Sequence, residues 1–524
     1  MSFYLTQNIR RTLIKGFYTT AFITLTGCTT IGPEFQPIKA ELPEKWQLKE
    51  NANVEINENW WKGFNDPVLD QLINISHQEN LSLRESLLRI VEARAILGVT
   101  KANNLPRTKF NGSASSTKQS EHASPQPLDN EELFSLGLDS SWEIDFWGKL
   151  FRQRESATAS YHSLIANHGD MFVTVTAEVA STYISIITLE QRIKLLMENI
   201  KLQERSLQIA EVWFNNGGRT ELDLRQAQAL VHETRSQLPG LEQDLYKKQS
   251  ALAVLLGTHR SKVLDMLNAG SSVPQYQLPV SLNLPIDLLR RRPDIRASEY
   301  LAKMRNADIG VAKADYYPSF SLTGNLGLSV TTGISTLAGG ISGSSGGDLF
   351  STEAKQYTGG FGFSWDIFNF GRIENNVLAS DARLQQAIES YKMTVLSAVK
   401  ETEDAMFSLQ KAGQQEKALT QSASAYTRAS TLSIQQYKDG ATDYQSVLDS
   451  LRQLVNVKQT QVQAKGQIAL NVVSLYKAVG GGWFFDKPIE LPQKTIDQMA
   501  KRTDWDEKLN NSIHGSTTDS DRAN

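Results

Sequence analysis

The amino-acid sequence predicts a mixed α and β membrane protein that arose by internal duplication and whose strands form only part of a closed barrel. Proline is absent from residues 128–238 and 319–487, which leaves room for two very long helices. The run "WEIDFWGKL" at Trp142 returns as "WDIFNFGRI" at Trp365. Four segments also alternate apolar with polar residues, which is the pattern of membrane-barrel strands.

The N-terminus has the pattern of an export signal over residues 1–27. Arg10, Arg11 and Lys15 precede a short apolar stretch, and the only cysteine of the chain, Cys28, follows it. This arrangement resembles a bacterial lipoprotein signal, which predicts that Cys28 is lipidated. A lone thiol forms no internal disulfide. The residue after the cysteine is not the aspartate that retains enteric lipoproteins at the inner membrane, so the resemblance points to the outer membrane.

Charge and residue spacing argue against several other classes of protein. Removing the signal lowers the formal net charge from -3 to -6, which disfavours a nucleic-acid partner. The histidines form no close metal-ligand pair, so the sequence predicts no metal and no cofactor. No set of Ser, His and Asp is recognisable as catalytic, although spacing alone excludes none. No long apolar run follows Cys28, which predicts that strands rather than helices cross the membrane.

Each proline-free zone is predicted to hold a helix of about 65 residues. Gly169 is the only glycine between Lys149 and Phe214, and Gly413 is the only one between Arg372 and Asp439. The first zone carries a heptad seam, which predicts packing along its length. The seam consists of Phe172, Val175, Val179, Thr182, Ile186, Leu189, Ile193, Leu196, Ile200, Gln203, Leu207, Ala210 and Phe214.

The aromatic repeat belongs to a longer duplication. At an offset of 223 residues, seven positions match without a gap: Trp142/Trp365, Gly148/Gly371, Lys149/Arg372, Glu178/Glu401, Phe214/Tyr437, Gly217/Gly440 and Gly257/Gly480. Upstream the offset is 212, since "LGVTKANNLP" ending at Pro106 matches "IGVAKADYYP" ending at Pro318. The difference of 11 residues falls in a loop, where residues 331–347 are rich in Gly and Ser.

The alternating segments predict strands at about 107–118, 132–146, 317–330 and 356–369. Four strands cannot close a barrel, and each unpaired backbone group at an open edge costs several kcal/mol in lipid. The chain is therefore expected to supply part of an oligomeric barrel. Trp142 and Trp365 are expected near the membrane interface, which amphipathic rings favour.

The duplication defines the predicted domain layout. A lipidated segment, 28–66, precedes a first repeat at 67–257 and a linker at 258–286. A second repeat at 287–480 precedes a C-terminal segment, 481–524, whose polar tail is expected to be disordered. Each repeat contains a long helical hairpin, with its tip at about 214–222 in the first and 437–445 in the second.

The chain resembles the outer-membrane factor (TolC) family, in the NodT-like lipoprotein branch of RND-type efflux proteins. Its most specific motifs are "IGPEFQPI" from Ile31, "WWKGFNDPVLDQLI" from Trp60, "LLRRRPDIRASE" from Leu288, "IGVAKADYYPSFSLTG" from Ile309 and "LYKAVGGGW" from Leu475. The resemblance implies a homotrimer with a 12-stranded transmembrane barrel, continued by a long α-helical barrel in the periplasm.

The resemblance also implies the function. The trimer is expected to be the outer-membrane channel of a tripartite efflux system, a passive duct for drugs, toxic compounds or metal ions. Its implied partners are a periplasmic membrane-fusion adaptor, an RND-type inner-membrane pump and outer-membrane lipid. The protein is not expected to be an enzyme.

Two groups of site residues follow from the family. The helix tips are expected to dock to the adaptor, although turn formation alone accounts for much of the glycine content. They comprise Phe214, Gly217, Gly218, Arg219, Thr220, Leu222, Tyr437, Gly440, Ala441, Thr442 and Asp443. Asp449 is expected to form an acidic ring at the periplasmic aperture, with Arg452 as a restraint. Gln445 replaces a bulky apolar residue that is frequent in the family, which argues against a hydrophobic plug.

Two alternatives stay open at this point. One is a duct for type I protein secretion, which the lipobox and "RRRPDIR" disfavour. The other is a lipid-anchored coiled-coil structural protein without a pore, which the four alternating strands disfavour. The sequence does not reveal the transported substrate.

Overall fold

The computed structural model describes residues 30–39, 59–118, 131–267, 273–276, 291–332, 346–483 and 491–503. The predicted signal, Cys28, most of the linker, the centre of the Gly- and Ser-rich loop and the polar tail after residue 503 lie outside the described residues. The start of that tail, which the sequence predicted to be disordered from about Pro492, is instead helical over Gln493–Thr503. The helices are α1 (Pro67–Glu79), α2 (Leu81–Ala102), α3 (Lys149–Asn215), α4 (Glu221–Ser236), α5 (Leu238–Leu255), α6 (Arg260–Met266), α7 (Pro293–Ala314), α8 (Arg372–Lys438), α9 (Tyr444–Ala478) and α10 (Gln493–Thr503). The strands are β1 (Arg107–Thr117), β2 (Glu131–Ile144), β3 (Ser319–Thr332) and β4 (Lys355–Ser364), and short 3-10 helices occur at Trp60–Phe64, Gly346–Phe350 and Thr352–Ala354.

The prediction of two very long helices is confirmed. Helices α3 and α8 each contain 67 residues, and both their first and last residues are related by the 223-residue offset. Glycines with positive φ flank both helices: Gly148 and Gly217 for α3, and Gly371 and Gly440 for α8. A positive φ is costly for residues with a Cβ atom, so these matched glycines fix where each helix starts and reverses.

Helix α3 corrects one expectation from the sequence. By length and composition it could cross a membrane, whereas the sequence predicted no such helix beyond Cys28. The apolar window of α3 is 61% buried inside the protein. Its buried heptad positions, such as Val175, Val179 and Ile186, contribute to this burial. The apolar character of α3 therefore matches that of a core helix.

The two hairpins return differently. In the second half, α9 runs for 35 residues without a break. In the first half the return path is divided at Gln237 into α4 and α5, and a proline lies in the first turn of α5. Pro239 has no N–H to donate and its ring clashes with the preceding turn, whereas Val462 at the equivalent position continues the helix. The hairpin of the first half therefore returns in two helices, α4 and α5. The expectation that each hairpin consists of one long helix, a turn and one return helix is wrong for this half.

The four strands form one antiparallel sheet in the order β1-β2-β3-β4. In β1 and β2, Arg107 lies opposite Ser141, and in β3 and β4, Ser319 lies opposite Ser364. Residues 319 and 364 are the duplicates of 107 and 141 at offsets of 212 and 223. The pairing register is therefore identical in the two halves, in spite of the 11-residue difference in the loops.

Two strand ends fall short of the prediction. Strand β2 ends at Ile144 and β4 at Ser364, whereas alternation predicted ends near 146 and 369. The last three residues of β2, beginning at Trp142, pair with β3 alone. Within the described part of the chain, β4 pairs with β3 alone, so the equivalent residues after Ser364 have no such second strand to pair with.

The chain divides into two compact units. The first comprises residues up to Ile38, Glu92–His162 and Tyr300–Glu389, and it contains the sheet. The second comprises the other residues and contains the helix tips. The main core of the second unit includes Leu69, Leu72, Tyr183, Ile184, Ile187 and Leu252. At its edge the ring of Trp60 stacks on that of Tyr476 at 5.0 Å.

Candidate functional site: a two-faced sheet and two helix tips

The sheet has one apolar and one polar face. A row across all four strands on one face consists of Phe110, Leu138, Leu326 and Tyr357, and the adjacent row on the other face consists of Lys109, Asp139, Asn325 and Thr358. The apolar side chains are not covered by the chain itself: Phe110 is 72% exposed and Tyr357 is 85% exposed. An exposed apolar face paired with a polar face is the arrangement of a barrel wall between lipid and water.

The polar face carries hydrogen bonds between strands. Asp139 on β2 accepts bonds from the amide groups of Asn111 on β1 and Asn325 on β3. One rung further along, the Ser113 and Ser135 hydroxyls lie 2.8 Å apart. These groups leave a wall of amide, hydroxyl and carboxylate oxygens that water-soluble molecules can contact.

The first tip is a capped helix reversal. At the end of α3, the Gly217 N–H donates to the Phe214 carbonyl at 2.9 Å, and the Gly218 N–H donates to the Trp213 carbonyl at 2.9 Å. Gly217 has a φ of 71°, the left-handed conformation that this cap requires. The Thr220 hydroxyl then caps α4 by accepting from the Asp223 N–H.

The second tip repeats this geometry. The Gly440 N–H donates to the Tyr437 carbonyl at 3.1 Å, and the Ala441 N–H donates to the Gln436 carbonyl at 2.8 Å. Asp443 caps α9 by accepting from the Ser446 N–H at 3.2 Å. The equivalent of Thr220 is thus an acidic cap, which interacts more strongly with the positive end of the helix dipole.

One side chain links the two tips. The Arg219 guanidinium donates to the Thr442 carbonyl at 2.9 Å and lies over the Tyr437 ring, 5.1 Å from its centroid. Tyr437 is 1% exposed and packs edge-on against Tyr444 at 5.3 Å. Burial, followed by the nearby Asp223 carboxylate, raises the pKa of Tyr437 to about 12, so the ring stays neutral. The buried pair of Tyr437 and Tyr444 therefore packs beneath the second tip and also contacts Arg219 of the first tip.

The structure sorts the predicted tip residues by exposure. Phe214, Arg219 and Thr442 are half-buried, and Tyr437 is buried. The exposed members are Gly217, Gly218, Thr220, Leu222, Gly440, Ala441 and Asp443, and among them Leu222 is the large apolar side chain, at 64% exposure. The exposed set includes backbone turns, two helix caps and one apolar contact point.

The predicted aperture residues lie on one side of α9. Asp449 is exposed and accepts from the Gln445 side-chain amide at 3.0 Å. Arg452 pairs with Glu233 of α4 at 3.1 Å. The Gln226 amide reaches the Gln445 carbonyl oxygen at 3.5 Å. The ion pair of Arg452 thus joins α9 to Glu233 of α4, and it is not made with Asp449.

Sequence reasoning missed Gln226 and Glu233. The signal that could have found them is their spacing: they lie seven residues apart on α4, as Gln445 and Arg452 do on α9. A shared heptad step places both pairs on one seam. No group of three or more His, Cys, Asp and Glu side chains that could hold a metal occurs among the described residues.

These features define a class of protein, namely chains that contribute strands to an outer-membrane channel and carry long helical hairpins. The particular family follows from comparison with known proteins. The chain belongs to the outer membrane efflux protein family, whose model matches residues 72–258 and 284–481.

Several relatives are similar to this chain over most of their length. The probable outer membrane lipoprotein SilC of Salmonella typhimurium is 29% identical over 88% of this chain and 97% of the relative. The pyoverdine export outer membrane protein OpmQ of Pseudomonas putida is 29% identical over 89% and 97%. The cation efflux system protein CusC of Escherichia coli (strain K12) is 28% identical over 88% and 97%.

Solved structures show the same fold. The outer-membrane channel OprN superimposes with a TM-score of 0.78 at 28% identity, covering 87% of this chain and 100% of that one. CusC superimposes with a TM-score of 0.74 at 26% identity, with coverage of 87% and 100%. The predicted fold class, with four strands per chain and an internal duplication, is confirmed. The chain is an outer-membrane efflux channel protein and resides in the outer membrane.

Proposed function

We propose that three copies of this chain form a passive duct that carries small molecules out of the periplasm and across the outer membrane. The observation that carries this proposal is the two-faced sheet, whose apolar side chains are exposed and whose polar face bears hydroxyl, amide and carboxylate groups. Such a sheet is stable in lipid only when its edges are paired and its polar face meets water. The duct makes and breaks no covalent bond, and a partner supplies the energy.

The partners in this proposal are a periplasmic adaptor and an RND-type inner-membrane pump. The adaptor docks at the two tips, where exposed backbone turns and Leu222 offer both polar and apolar contacts. Arg219 supports this role because its bond to the Thr442 carbonyl keeps the tips of one chain together. An adaptor that bridges both tips therefore meets a single preformed surface rather than two separately moving loops.

The aperture is proposed to lie at Asp449. In a trimer, three Asp449 carboxylates converge and repel one another when ionised. The Glu233–Arg452 pair and the Gln226–Gln445 contact hold α4 against α9 within each chain. Opening then requires α4 and α9 to shift against one another, which breaks or weakens these contacts. Because Gln445 is polar and exposed, the aperture is held closed by the Glu233–Arg452 ion pair and by helix packing rather than by an apolar plug.

Cys28 is proposed to carry the lipid anchor. The segment that follows it is fixed to the start of α3, since the Ile31 N–H donates to the Trp147 carbonyl at 3.0 Å. The Arg152 guanidinium, 1% exposed, pairs with Glu34 at 2.8 Å and with Glu155 at 2.7 Å. These contacts hold the chain only a few residues after Cys28, next to the residues that connect β2 to α3.

The substrate class is proposed to be small solutes selected elsewhere in the system. OpmQ is named for pyoverdine export and CusC for cation efflux, yet their identities to this chain are 29% and 28%. Overall similarity therefore does not distinguish an organic solute from a cation, and the polar wall of the sheet suits both. No observation in the described residues favours protein secretion or a structural rod without a pore.

Conductance in planar bilayers tests the proposal. The purified full-length protein is expected to insert and to give discrete, ohmic conductance steps without added nucleotide. A protein that inserts without conducting, and that stays silent when the aperture contact is removed by Arg452→Ala, would support the structural-rod alternative. Insertion is scored independently by protease protection of the strands, so that failed reconstitution is not mistaken for absence of a pore.

A further inference from the structure

Both outer edges of the sheet lack a partner strand among the residues that the structure describes. Strand β1 pairs with β2 alone, and β4 pairs with β3 alone. The backbone N–H and C=O groups on the free side of each strand must be paired if the sheet is to lie in lipid. The two edges are therefore the surfaces on which a second copy would join.

The duplication supplies a rule for that joint. Adding 212 to a residue of β1 and 223 to its partner in β2 yields an observed pair of β3 and β4, as Arg107–Ser141 and Ser319–Ser364 show. Strand β1 is thus the equivalent of β3, and β2 the equivalent of β4. Within the chain, the two halves join where β2 pairs with β3. By the same equivalence, β4 should pair with the β1 strand of a second copy, and the β2–β3 register serves as the template for that pairing.

The template fixes the register. Ser141 of β2 lies opposite Thr323 of β3. Ser364 is the equivalent of Ser141, and Asn111 is the equivalent of Thr323. Ser364 of one chain therefore faces Asn111 of the partner subunit, and Gly360 faces the partner's Ser115. This alignment keeps the apolar faces together, since Phe363 then lies beside the partner's Gly112.

Side chains beyond the strands follow the same rule. The Trp147 indole N–H donates to the Pro318 carbonyl at 2.8 Å, and its ring stacks on Tyr317 at 4.7 Å. The equivalents of these three residues are Phe370, Pro106 and Leu105. Phe370 is fully exposed and Leu105 is 66% exposed. Among the described residues, neither makes the contact that its duplicate makes.

We infer that β4 pairs with the β1 strand of a second copy in the Ser364–Asn111 register, and that Phe370 packs on the partner's Leu105 and Pro106. The inference rests on the trimeric duct proposed above and specifies its seam. It places Asp366 opposite the partner's Lys109, which adds a charge pair on the polar face. It also lengthens β4 by three residues to Ile367, the equivalent of Ile144, where alternation predicted a longer strand.

Paired cysteines test the register. Gly360→Cys is combined with Ser115→Cys, or with Ser113→Cys or Thr117→Cys as controls that lie two residues away on the same face. Within one chain β1 and β4 are three strand spacings apart, about 14 Å, which is too far for a disulfide. Any bond between these positions therefore joins two chains. Variants with only one introduced cysteine show how much of the cross-linked product comes from disulfides that involve Cys28.

The matched pair is expected to give covalent dimers and trimers on non-reducing gels, at an initial rate at least about tenfold above either control pair. The second matched pair, Ser364→Cys with Asn111→Cys, is expected to behave alike. Faster bonding by a control pair in a protein that light scattering shows to be trimeric would overturn the register and leave the duct intact. A monomeric protein that does not conduct would overturn both.

Phe370→Ala tests the side-chain contact. The variant is expected to lower the temperature at which the trimer dissociates in detergent, whereas Phe350→Ala, which removes a ring that is 78% exposed in a 3-10 helix, is expected to leave it unchanged. Phe370→Trp restores the ring found in the first half and is expected to retain the trimer. Equal dissociation temperatures for Phe370→Ala and the unaltered protein would overturn the proposed seat on Leu105 and Pro106.

Discussion

The two halves of the chain close the same helix joint with different side chains. In the first half, the Asn80 amide donates to the Leu255 carbonyl at 2.8 Å. In the second, the Arg292 guanidinium donates to the Ala478 carbonyl at 2.7 Å and also pairs with Asp294 and Glu401. These donors and acceptors are duplicates at offsets of 212 and 223. The accepting backbone carbonyl, Leu255 or Ala478, is thus the same in both halves. The donor is a neutral amide in the first half and a buried cation in the second.

Replacing the two donors should give the largest difference between the halves. Arg292→Ala is expected to lower the free energy of unfolding by about 3 kcal/mol, because two carboxylates lose their cation and the buried Ala478 carbonyl keeps only the Thr402 hydroxyl at 3.4 Å. Asn80→Ala is expected to cost about 1.5 kcal/mol, since Asn80 also accepts from the Leu83 N–H. Denaturant unfolding monitored by circular dichroism measures both. Equal losses would show that the cation adds nothing to the joint.

A second difference between the halves is the expected response of their stability to low pH. His168 and Tyr391 are duplicates, and burial lowers the pKa of His168 to about 4. Because the folded protein favours the neutral imidazole, the stability that depends on it is present above pH 6.5 and is lost as the pH falls toward 4. From pH 7 to pH 5, His168→Gln is expected to lose about 2 kcal/mol less stability than the unaltered protein.

The control for this experiment is Tyr391→Phe. Burial raises the pKa of Tyr391, so this hydroxyl does not titrate between pH 5 and 7. The substitution should leave the slope of stability against pH unchanged over that range. If His168→Gln also leaves the slope unchanged, protonation of His168 does not contribute to the acid response.

The tips should respond alike, because there the duplication has kept the same residue. Gly217→Ala and Gly440→Ala are each expected to cost about 1 kcal/mol, since both glycines have φ above 70° and no atom crowds an added Cβ. Gly413→Ala, inside α8, is the matched control and should stabilise the protein through helix propensity. Thermal unfolding compares the three. Clearly unequal costs at the two tips would indicate that their caps differ in more than sequence.

The smallest expected change in stability is at the aperture. Arg452→Ala removes an ion pair whose side chains are 46% and 57% exposed, which is worth well under about 1 kcal/mol. Its effect on gating should be larger, with a higher open probability in planar bilayers, because α4 loses a tie to α9. Glu233→Gln should show the same increase, since it removes the other partner. Unchanged open probability in both variants would count against this pair as a restraint.

The sequence predicted the parts of the structure that depend on the backbone. The absence of proline and the paired glycines located both 67-residue helices and both tips, because these residues act through φ and the N–H group of the chain itself. Alternation identified all four strands and assigned their faces. Pro239 carried the information for the break at Gln237, but its effect on a single return helix was not drawn from the sequence.

Features that depend on a neighbouring element were not predictable in the same way. The Glu233–Arg452 pair requires α4 to pack beside α9, and no local pattern specifies which helices become neighbours. Likewise, alternation continues past Ser364, whereas β4 ends there and pairs with β3 alone among the described residues, so alternation did not locate the strand end. Hydrophobic periodicity predicts which face of an element is buried, but it does not predict which neighbouring element packs on that face.

The 11-residue excess between the two repeats has a practical consequence. The second half carries these additional residues between β3 and β4, yet both hairpins keep the same pairing register. The connection between β1 and β2 should therefore accept an inserted epitope tag of similar length without a shift in the sheet. Such a tag would let antibodies label intact cells and count assembled channels on their surface.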